Sequence, residues 1–219
     1  PKRENYGNIT NLSRPENAEI MMLRTLSYFV VNKQTPHLIL PIVTFYTDIK
    51  FFLLLSKFGY IKRNLQKYDD FIKKYKEGKY ENTVSILLSE WANKGDFLNY
   101  AKKNYKNFKL IHWKVFFFQI LSVVAVIQSK YPSFRHNDMK ANNILVHKLK
   151  KQYTPWLYRV CNKAYIVPNI GYQLKLWDFD FACIKGVVEN VKVNEEWTNE
   201  INITPEKNRY YDIHYFFNT

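Results

Sequence analysis

The sequence is poor in cysteine, glycine and acidic residues, and each shortage has consequences. Its two cysteines, Cys161 and Cys183, are too few for a disulfide framework, and no Cys/His cluster has the spacing of a zinc site. We therefore expect a reducing, intracellular compartment. The six glycines nowhere form a G-x-G-x-x-G phosphate-binding loop. The first residues also lack the pattern of a secretory signal peptide.

Long apolar runs are scarce as well. The longest, residues 115–127, is interrupted by Gln119 and Ser122 and is shorter than the roughly 20 residues that cross a bilayer. We therefore predict no transmembrane segment. Apolar residues recur at spacings of three and four over residues 111–131, which predicts a helix buried in the core.

Basic residues outnumber acidic ones, with 33 Lys+Arg against 19 Asp+Glu and a formal net charge of +14. This balance is compatible with nucleic acid, an acidic membrane surface or acidic substrates as partners. Because the lysines are scattered along the chain, we do not expect nucleic acid to be the main partner. With 47% hydrophobic and 17% aromatic residues, the chain can build a large core.

The most informative stretch runs from His136 to Asn143 and is followed by the apolar residues 144–146, which predict a short buried strand. Phosphoryl transfer from ATP needs an acid, a cation and a metal ligand close together. Asp138 would orient the attacking hydroxyl, Lys140 would neutralise charge on the moving phosphoryl group, and Asn143 would offer an oxygen to magnesium.

A second motif follows 40 positions after Asp138. Residues 174–177 predict a strand, and Asp178, Phe179 and Asp180 come directly after it. Magnesium prefers a few carboxylate oxygens and keeps its other positions for water and phosphate. We therefore predict that Asp178 is a metal ligand and that Phe179 packs inward to hold it.

Together these motifs resemble the catalytic loop (H-R-D-x-x-x-x-N) and the metal motif (D-F-G) of protein kinases. The strings at 134–145 and 176–182, with a long insertion between them, look like the virion Ser/Thr protein kinases of poxviruses and related large DNA viruses. The resemblance implies an α+β, bilobal kinase-like fold. Residues 1–92 would form a partial N-terminal lobe and hinge. Residues 93–219 would form a mostly helical catalytic lobe with an insertion at about 147–172.

The resemblance also implies the cofactors and the site. ATP and Mg²⁺ (or Mn²⁺) would be bound, and the substrates would be proteins with Ser or Thr hydroxyls. A glutamate would pair with an ATP-orienting lysine, and the hinge backbone would meet the adenine. The implied site residues are Glu19, Glu90, Ala92, Asp138, Lys140, Asn143 and Asp178. For a viral kinase the location would be the host cytoplasm or the virion.

Several features depart from the kinase pattern. The glycine-rich loop and the lysine strand are missing, so we expect the chain to be a fragment truncated at both ends. Asn137 stands where protein kinases have arginine, so control by loop phosphorylation through that contact is not expected. Asp180 replaces a glycine, restricts the backbone there and is a candidate second carboxylate near the metal.

Two other functions remain open at this point. Small-molecule kinases of the choline and aminoglycoside type use the same acid and amide, and a pseudokinase scaffold would explain the missing loop. Lys140 favours a protein substrate, as does Thr204-Pro205-Glu206, which resembles the end of an activation segment. Asp212 is expected to accept hydrogen bonds from the catalytic-loop backbone. A capping box from Ser13 to Glu16 predicts a helix start near Pro15.

Overall fold

The computed structural model describes residues 8, 10–12, 14–55, 65–150, 154–193 and 209–219. Helices and strands are mixed, as expected for an α+β kinase-like fold. The helices are α1 (Pro15–Val31), α2 (Lys50–Leu53), α3 (Leu65–Lys76), α4 (Phe97–Asn104), α5 (Leu110–Lys130) and α6 (Tyr211–Asn218). The strands are β1 (Pro41–Asp48), β2 (Thr83–Ser89), β3 (Ile144–Lys148), β4 (Trp156–Val160), β5 (Lys163–Val167) and β6 (Tyr172–Leu176).

Helix α1 begins at Pro15, where proline suits the first helical turn. The predicted capping box is wrong in its details. Arg14 is the N-cap and makes no capping hydrogen bond with its side chain, while Glu16 is paired with the Arg14 guanidinium at 2.7 Å. Ser13 lies outside the described residues. The pairing leaves Glu16 no part in a cap, because Arg14 is buried and holds the carboxylate.

Strands β1 and β2 form an antiparallel pair in the N-terminal part of the chain. Strand β1 starts at Pro41. Proline lacks an N–H group and is tolerated at a strand start. Strand β2 ends at Ser89 and delivers the chain to Glu90, at the position expected for a hinge.

Helix α5 is the centre of the core, with Phe116, Ile120 and Ile127 no more than 2% exposed. Its polar residue Gln119 is buried because it completes the hydrogen bonding of β6: its amide donates to the Tyr172 carbonyl at 2.9 Å and accepts from the Leu174 N–H at 2.8 Å. Among the described residues, α5 alone is long and apolar enough to cross a membrane by length and composition. Half of the most apolar stretch of α5 is buried within the protein, as in a core helix.

Two antiparallel ribbons build the region around the site. Strands β3 and β6 pair from Ile144↔Leu176 to Lys148↔Tyr172, so the ends of both motifs meet on one ribbon. Strands β4 and β5 form a hairpin within the predicted insertion. Tyr158 of this hairpin stacks on His37, with ring centroids 5.6 Å apart. The hairpin is therefore attached to the loop that follows α1.

Candidate active site

A buried aspartate of α6 holds the loop that carries the first motif. Asp212 is 0% exposed, and its two carboxylate oxygens accept hydrogen bonds from the backbone N–H groups of His136 and Asn137, both at 2.8 Å. Burial raises the pKa of Asp212, while His136 and the two backbone hydrogen bonds oppose that rise. The hydrogen bonds expected of Asp212 are present.

Asp138, Lys140 and Asn143 meet in one hydrogen-bonded cluster. Lys140 Nζ donates to both Asp138 carboxylate oxygens, at 2.8 and 3.0 Å. The Asn143 amide donates to Asp138 Oδ2 at 2.8 Å and to its backbone carbonyl at 3.0 Å. The hydrogen bond to Asp138 is the main reason that the pKa of Lys140 is raised, so its ammonium group stays charged. The two donors fix the orientation of a carboxylate that is still 17% exposed.

The second motif lies against the first. The Trp177 N–H donates to the Asn143 carbonyl at 3.1 Å, which brings Asp178 next to the catalytic loop. Phe179 is 0% exposed and lies 5.0 Å from the His136 ring, centroid to centroid, so the predicted inward packing is present. Asp178 adopts φ 62°, a left-handed conformation that aspartate tolerates better than most residues.

The oxygens at this junction are suited to a magnesium ion. Asn143 is 6% exposed, yet its amide oxygen accepts no hydrogen bond within the part of the chain that the structure describes. The Asp178 carboxylate likewise has no hydrogen bond or ion pair with any described residue. In those same ranges no three His, Cys, Asp or Glu side chains form a metal cage. Magnesium bound with nucleotide takes only one or two carboxylates from the protein, so the absence of a larger acidic cluster is compatible with the predicted ligands Asn143 and Asp178.

Glu19 of α1 faces the second motif. Burial, followed by the negative charges of Asp178 and Asp180, raises the pKa of Glu19 to about 7. Lys192 and the backbone N–H of Phe179 act in the opposite direction. Lys192 itself is paired with Asp180. The side chain predicted to anchor an ATP-orienting lysine is therefore placed in an acidic environment where a second cation would stabilise it.

A buried lysine, Lys175, forms an ion pair with Glu90 at the start of the predicted hinge. Lys175 Nζ, on a side chain only 4% exposed, contacts Glu90 Oε1 at 2.8 Å and the Pro36 carbonyl at 2.9 Å. The Glu90 N–H donates to the Leu40 carbonyl at 2.9 Å. The Glu90 carbonyl and the Ala92 N–H make no hydrogen bond with other described residues. These two backbone groups are the ones expected to meet adenine.

Comparison with known proteins places this chain in a family. A family model of poxvirus serine/threonine protein kinases matches residues 7–219. The chain belongs to the poxvirus serine/threonine protein kinase family. A protein of Acanthamoeba polyphaga mimivirus, provisionally named serine/threonine-protein kinase R400, is 52% identical over 99% of this chain and 48% of its own length. Serine/threonine-protein kinase 2 of monkeypox virus is 28% identical over 78% of this chain and 40% of its own length.

The chain thus spans about half the length of the mimivirus relative that it matches. A further mimivirus protein, provisionally named serine/threonine-protein kinase R301, is 33% identical over 38% of this chain and 22% of its own length. The kinase family accounts for the order of the two motifs and for the mixed helix and strand content. The activity of the whole protein requires a separate argument from the site.

Sequence reasoning missed two residues of this kinase-family site. Lys175 lies in an alternating strand pattern that gives no sign of burial, and its partner Glu90 is 85 positions away. Lys192 pairs with Asp180 from twelve positions away, and the residues around it show no helix or strand periodicity that would place it there. The predicted end of the activation segment, Thr204-Pro205-Glu206, lies outside the described residues.

Proposed function

We propose that the chain forms the catalytic part of an ATP-dependent Ser/Thr protein kinase that transfers the γ-phosphoryl group to protein hydroxyls. The observation that carries the proposal is the Asp138–Lys140–Asn143 cluster, joined to Asp178 through the hydrogen bond between Trp177 and Asn143. An acid and a cation occur together there with the Asn143 amide oxygen and the Asp178 carboxylate, which are the types of ligand that magnesium prefers, and this supports phosphoryl transfer.

Each side chain of the cluster has a separate task in this proposal. Asp138 accepts a hydrogen bond from the attacking hydroxyl and takes up its proton, and Lys140 and Asn143 keep the carboxylate pointing toward it. The Lys140 ammonium is also the cation that offsets the negative charge growing on the transferred group. Alignment of the hydroxyl accounts for part of the rate, because a fixed acceptor avoids reorganisation during the reaction.

The proposed nucleotide site has a metal end and an adenine end. Asn143 Oδ1 and the Asp178 carboxylate would hold magnesium, which supplies charge neutralisation at the phosphates when bound. The Glu90 carbonyl and the Ala92 N–H would hydrogen-bond adenine at the other end. Glu19 would anchor the lysine that orients the phosphates. The viral origin of the relatives supports a location of the protein in the interior of the host cell or in the virion.

The test is substitution of Asp138 by Asn in the full-length protein. The Asn side chain keeps the size of the carboxylate but cannot take up a proton, so we expect turnover on a protein substrate to fall by about 10²–10⁴-fold while the protein still binds nucleotide. A matched control is Asp96→Asn, since the Asp96 carboxylate caps α4 by accepting from the N–H and from the side-chain amide of Asn99. Unchanged phosphorylation by the Asp138 variant would refute the assignment.

The same assay separates the other two functions. Labelled ATP is offered together with a protein substrate or with choline-like and aminoglycoside alcohols. Label reaching only the small alcohols would show a small-molecule kinase instead. Nucleotide binding without transfer to either acceptor, in protein with its complete N-terminal lobe, would show a pseudokinase.

A further inference from the structure

A large groove lies away from the catalytic cluster, between the β4–β5 hairpin, α5 and the loop that follows α1. Its volume is about 1370 Å³. Three cationic side chains line it: Lys33 from the loop after α1, and Arg159 and Lys163 from the hairpin. We call this feature the basic groove. Within the described part of the chain, none of these three side chains makes an ion pair or a hydrogen bond, so their charges are available to a ligand.

The charge of the basic groove is not balanced by its surroundings. Its lining includes no Asp or Glu. The sequence explains why, because the lining residues lie within three long stretches, residues 20–47, 97–137 and 139–177, that contain no acidic residue. The positive potential in the groove is therefore uncompensated, and a concave, low-dielectric wall concentrates such a potential. The basic groove is therefore electrostatically complementary to an anionic ligand.

The uncharged part of the lining favours a peptide over a nucleic acid. Four side-chain amides, those of Asn32, Gln34, Asn162 and Gln173, line the basic groove. Each presents both a donor and an acceptor, as an extended peptide backbone requires. Leu157 also lines the groove and is 60% exposed, so it offers an apolar contact for a side chain. Two aromatic residues, Trp156 and Tyr158, also line the groove, but Tyr158 is buried and Trp156 is only half-buried. The lining therefore does not present the series of exposed rings on which successive bases of a nucleic acid stack.

The wall formed by the hairpin is firmly held. The His37 ring donates from Nδ1 to the Leu174 carbonyl at 2.7 Å, since a carbonyl can only accept, and its Nε2 then accepts from the Tyr158 hydroxyl at 2.8 Å. All three residues are buried. A rigid wall loses little conformational entropy when a ligand binds, so the groove is preformed rather than assembled by its partner.

We propose that the basic groove is a docking site for an acidic, carboxylate-rich peptide segment of a partner protein. The segment lies extended against the side-chain amides, its carboxylates meet Lys33, Arg159 and Lys163, and an apolar residue contacts Leu157. The site is separate from the catalytic cluster, and it does not depend on phosphoryl transfer.

The experiment measures binding of a fluorescein-labelled peptide of alternating glutamate and leucine to the full chain. A peptide with glutamine in place of glutamate controls for charge. A single-stranded DNA of equal charge tests whether the groove binds nucleic acid instead. The test variant replaces Lys33, Arg159 and Lys163 by Gln. The matched control replaces three exposed lysines of α3, Lys67, Lys73 and Lys76, by Gln and so changes the net charge equally.

We expect the acidic peptide to bind the wild type and the α3 variant with affinities within about twofold, and the groove variant at least about tenfold more weakly, because three exposed charge contacts are lost together. Binding should weaken with rising salt, and the glutamine copy should not bind. Melting curves of the two variants check that each is folded.

The native cysteines provide a second readout. Cys161 is exposed on the lining of the basic groove, whereas Cys183 is buried. The acidic peptide should therefore slow alkylation of Cys161. The proposal would be overturned if both variants lost peptide binding equally, or if the wild type did not bind the peptide at all. It would also be overturned if DNA bound as tightly as the peptide and lost its binding equally in the groove variant, or if saturating peptide left the alkylation rate of Cys161 unchanged.

Discussion

Acidification should destabilise this protein through His37. Burial lowers the pKa of His37 to about 3, from 6.5 for a free histidine, because the charged imidazolium cannot be solvated at its site. The folded state therefore excludes a proton that the unfolded chain binds. Stability from this residue is complete above pH 6.5 and is lost as pH falls from 6.5 toward 3.

The size of the loss follows from the two pKa values. Each pH unit in this window costs about 1.4 kcal/mol, so between pH 7 and 4.5 the free energy of unfolding should fall by about 2.5 kcal/mol. Any folded pKa below about 4 gives nearly the same result at pH 4.5, because the folded ring is still mostly neutral there. For a domain of this size such a loss is a large fraction of total stability.

The assay is urea unfolding at a series of pH values for the wild type and for His37→Gln. Glutamine does not titrate, yet its amide can still donate to the Leu174 carbonyl and accept from the Tyr158 hydroxyl. Subtracting the variant's pH profile removes the contribution of every other titrating group. A difference profile that is flat between pH 7 and 4.5 would contradict the reasoning, since it would mean that His37 can bind a proton without unfolding.

Two further substitutions follow from the site. Glu19→Gln should raise the free energy of unfolding of the 219-residue chain by about 1–3 kcal/mol at pH 8, because the pKa of about 7 in the folded state makes the charged carboxylate unfavourable there. The gain in stability should vanish near pH 4.5. A gain that does not change with pH would refute this explanation. Lys175→Met should cost about 1–3 kcal/mol, since it leaves the Glu90 carboxylate and the Pro36 carbonyl without their shared donor. In the full-length kinase it should also raise the KM for ATP several-fold with less effect on kcat, and equal effects on both constants would show that the hinge is not what Lys175 positions.

The parts of the site that depend on local sequence could be predicted. Asp138, Lys140 and Asn143 lie within six positions of one another on a short loop, so their meeting requires only one backbone conformation. Asp178 and Phe179 follow a strand that pairs with the strand after Asn143, and strand patterns are visible in sequence. The N-cap of α4 is equally local, because Asp96 accepts from the Asn99 N–H three positions later.

The parts that depend on distant packing could not be predicted. Lys175 alternates with leucines on β6 and would be expected on the solvent face of an ordinary hairpin. In the structure the chain at His37–Ile39 runs alongside β6, bonded to Leu176 through the His37 carbonyl and the Ile39 N–H. Lys175 Nζ is buried there against the Pro36 carbonyl and Glu90. Hydrophobic periodicity is a local property of the sequence, so it does not indicate that a segment more than 100 positions away will pack beside a strand. His37 is buried for the same reason, since its ring partners Leu174 and Tyr158 lie more than 100 positions away in the sequence.

The β3–β6 ribbon has a consequence for how nucleotide enters and leaves. Asn143 and Asp178 sit at the ends of strands joined by five consecutive residue pairs, and the Trp177 N–H adds one more link between them. In the proposed function, opening and closing of a nucleotide cleft would therefore carry both residues together, and product would leave when Glu19 and the hinge move relative to the ribbon. In deuterium exchange, the Trp177 amide should stay protected with or without nucleotide, while amides around Ala92 exchange faster once the nucleotide has gone.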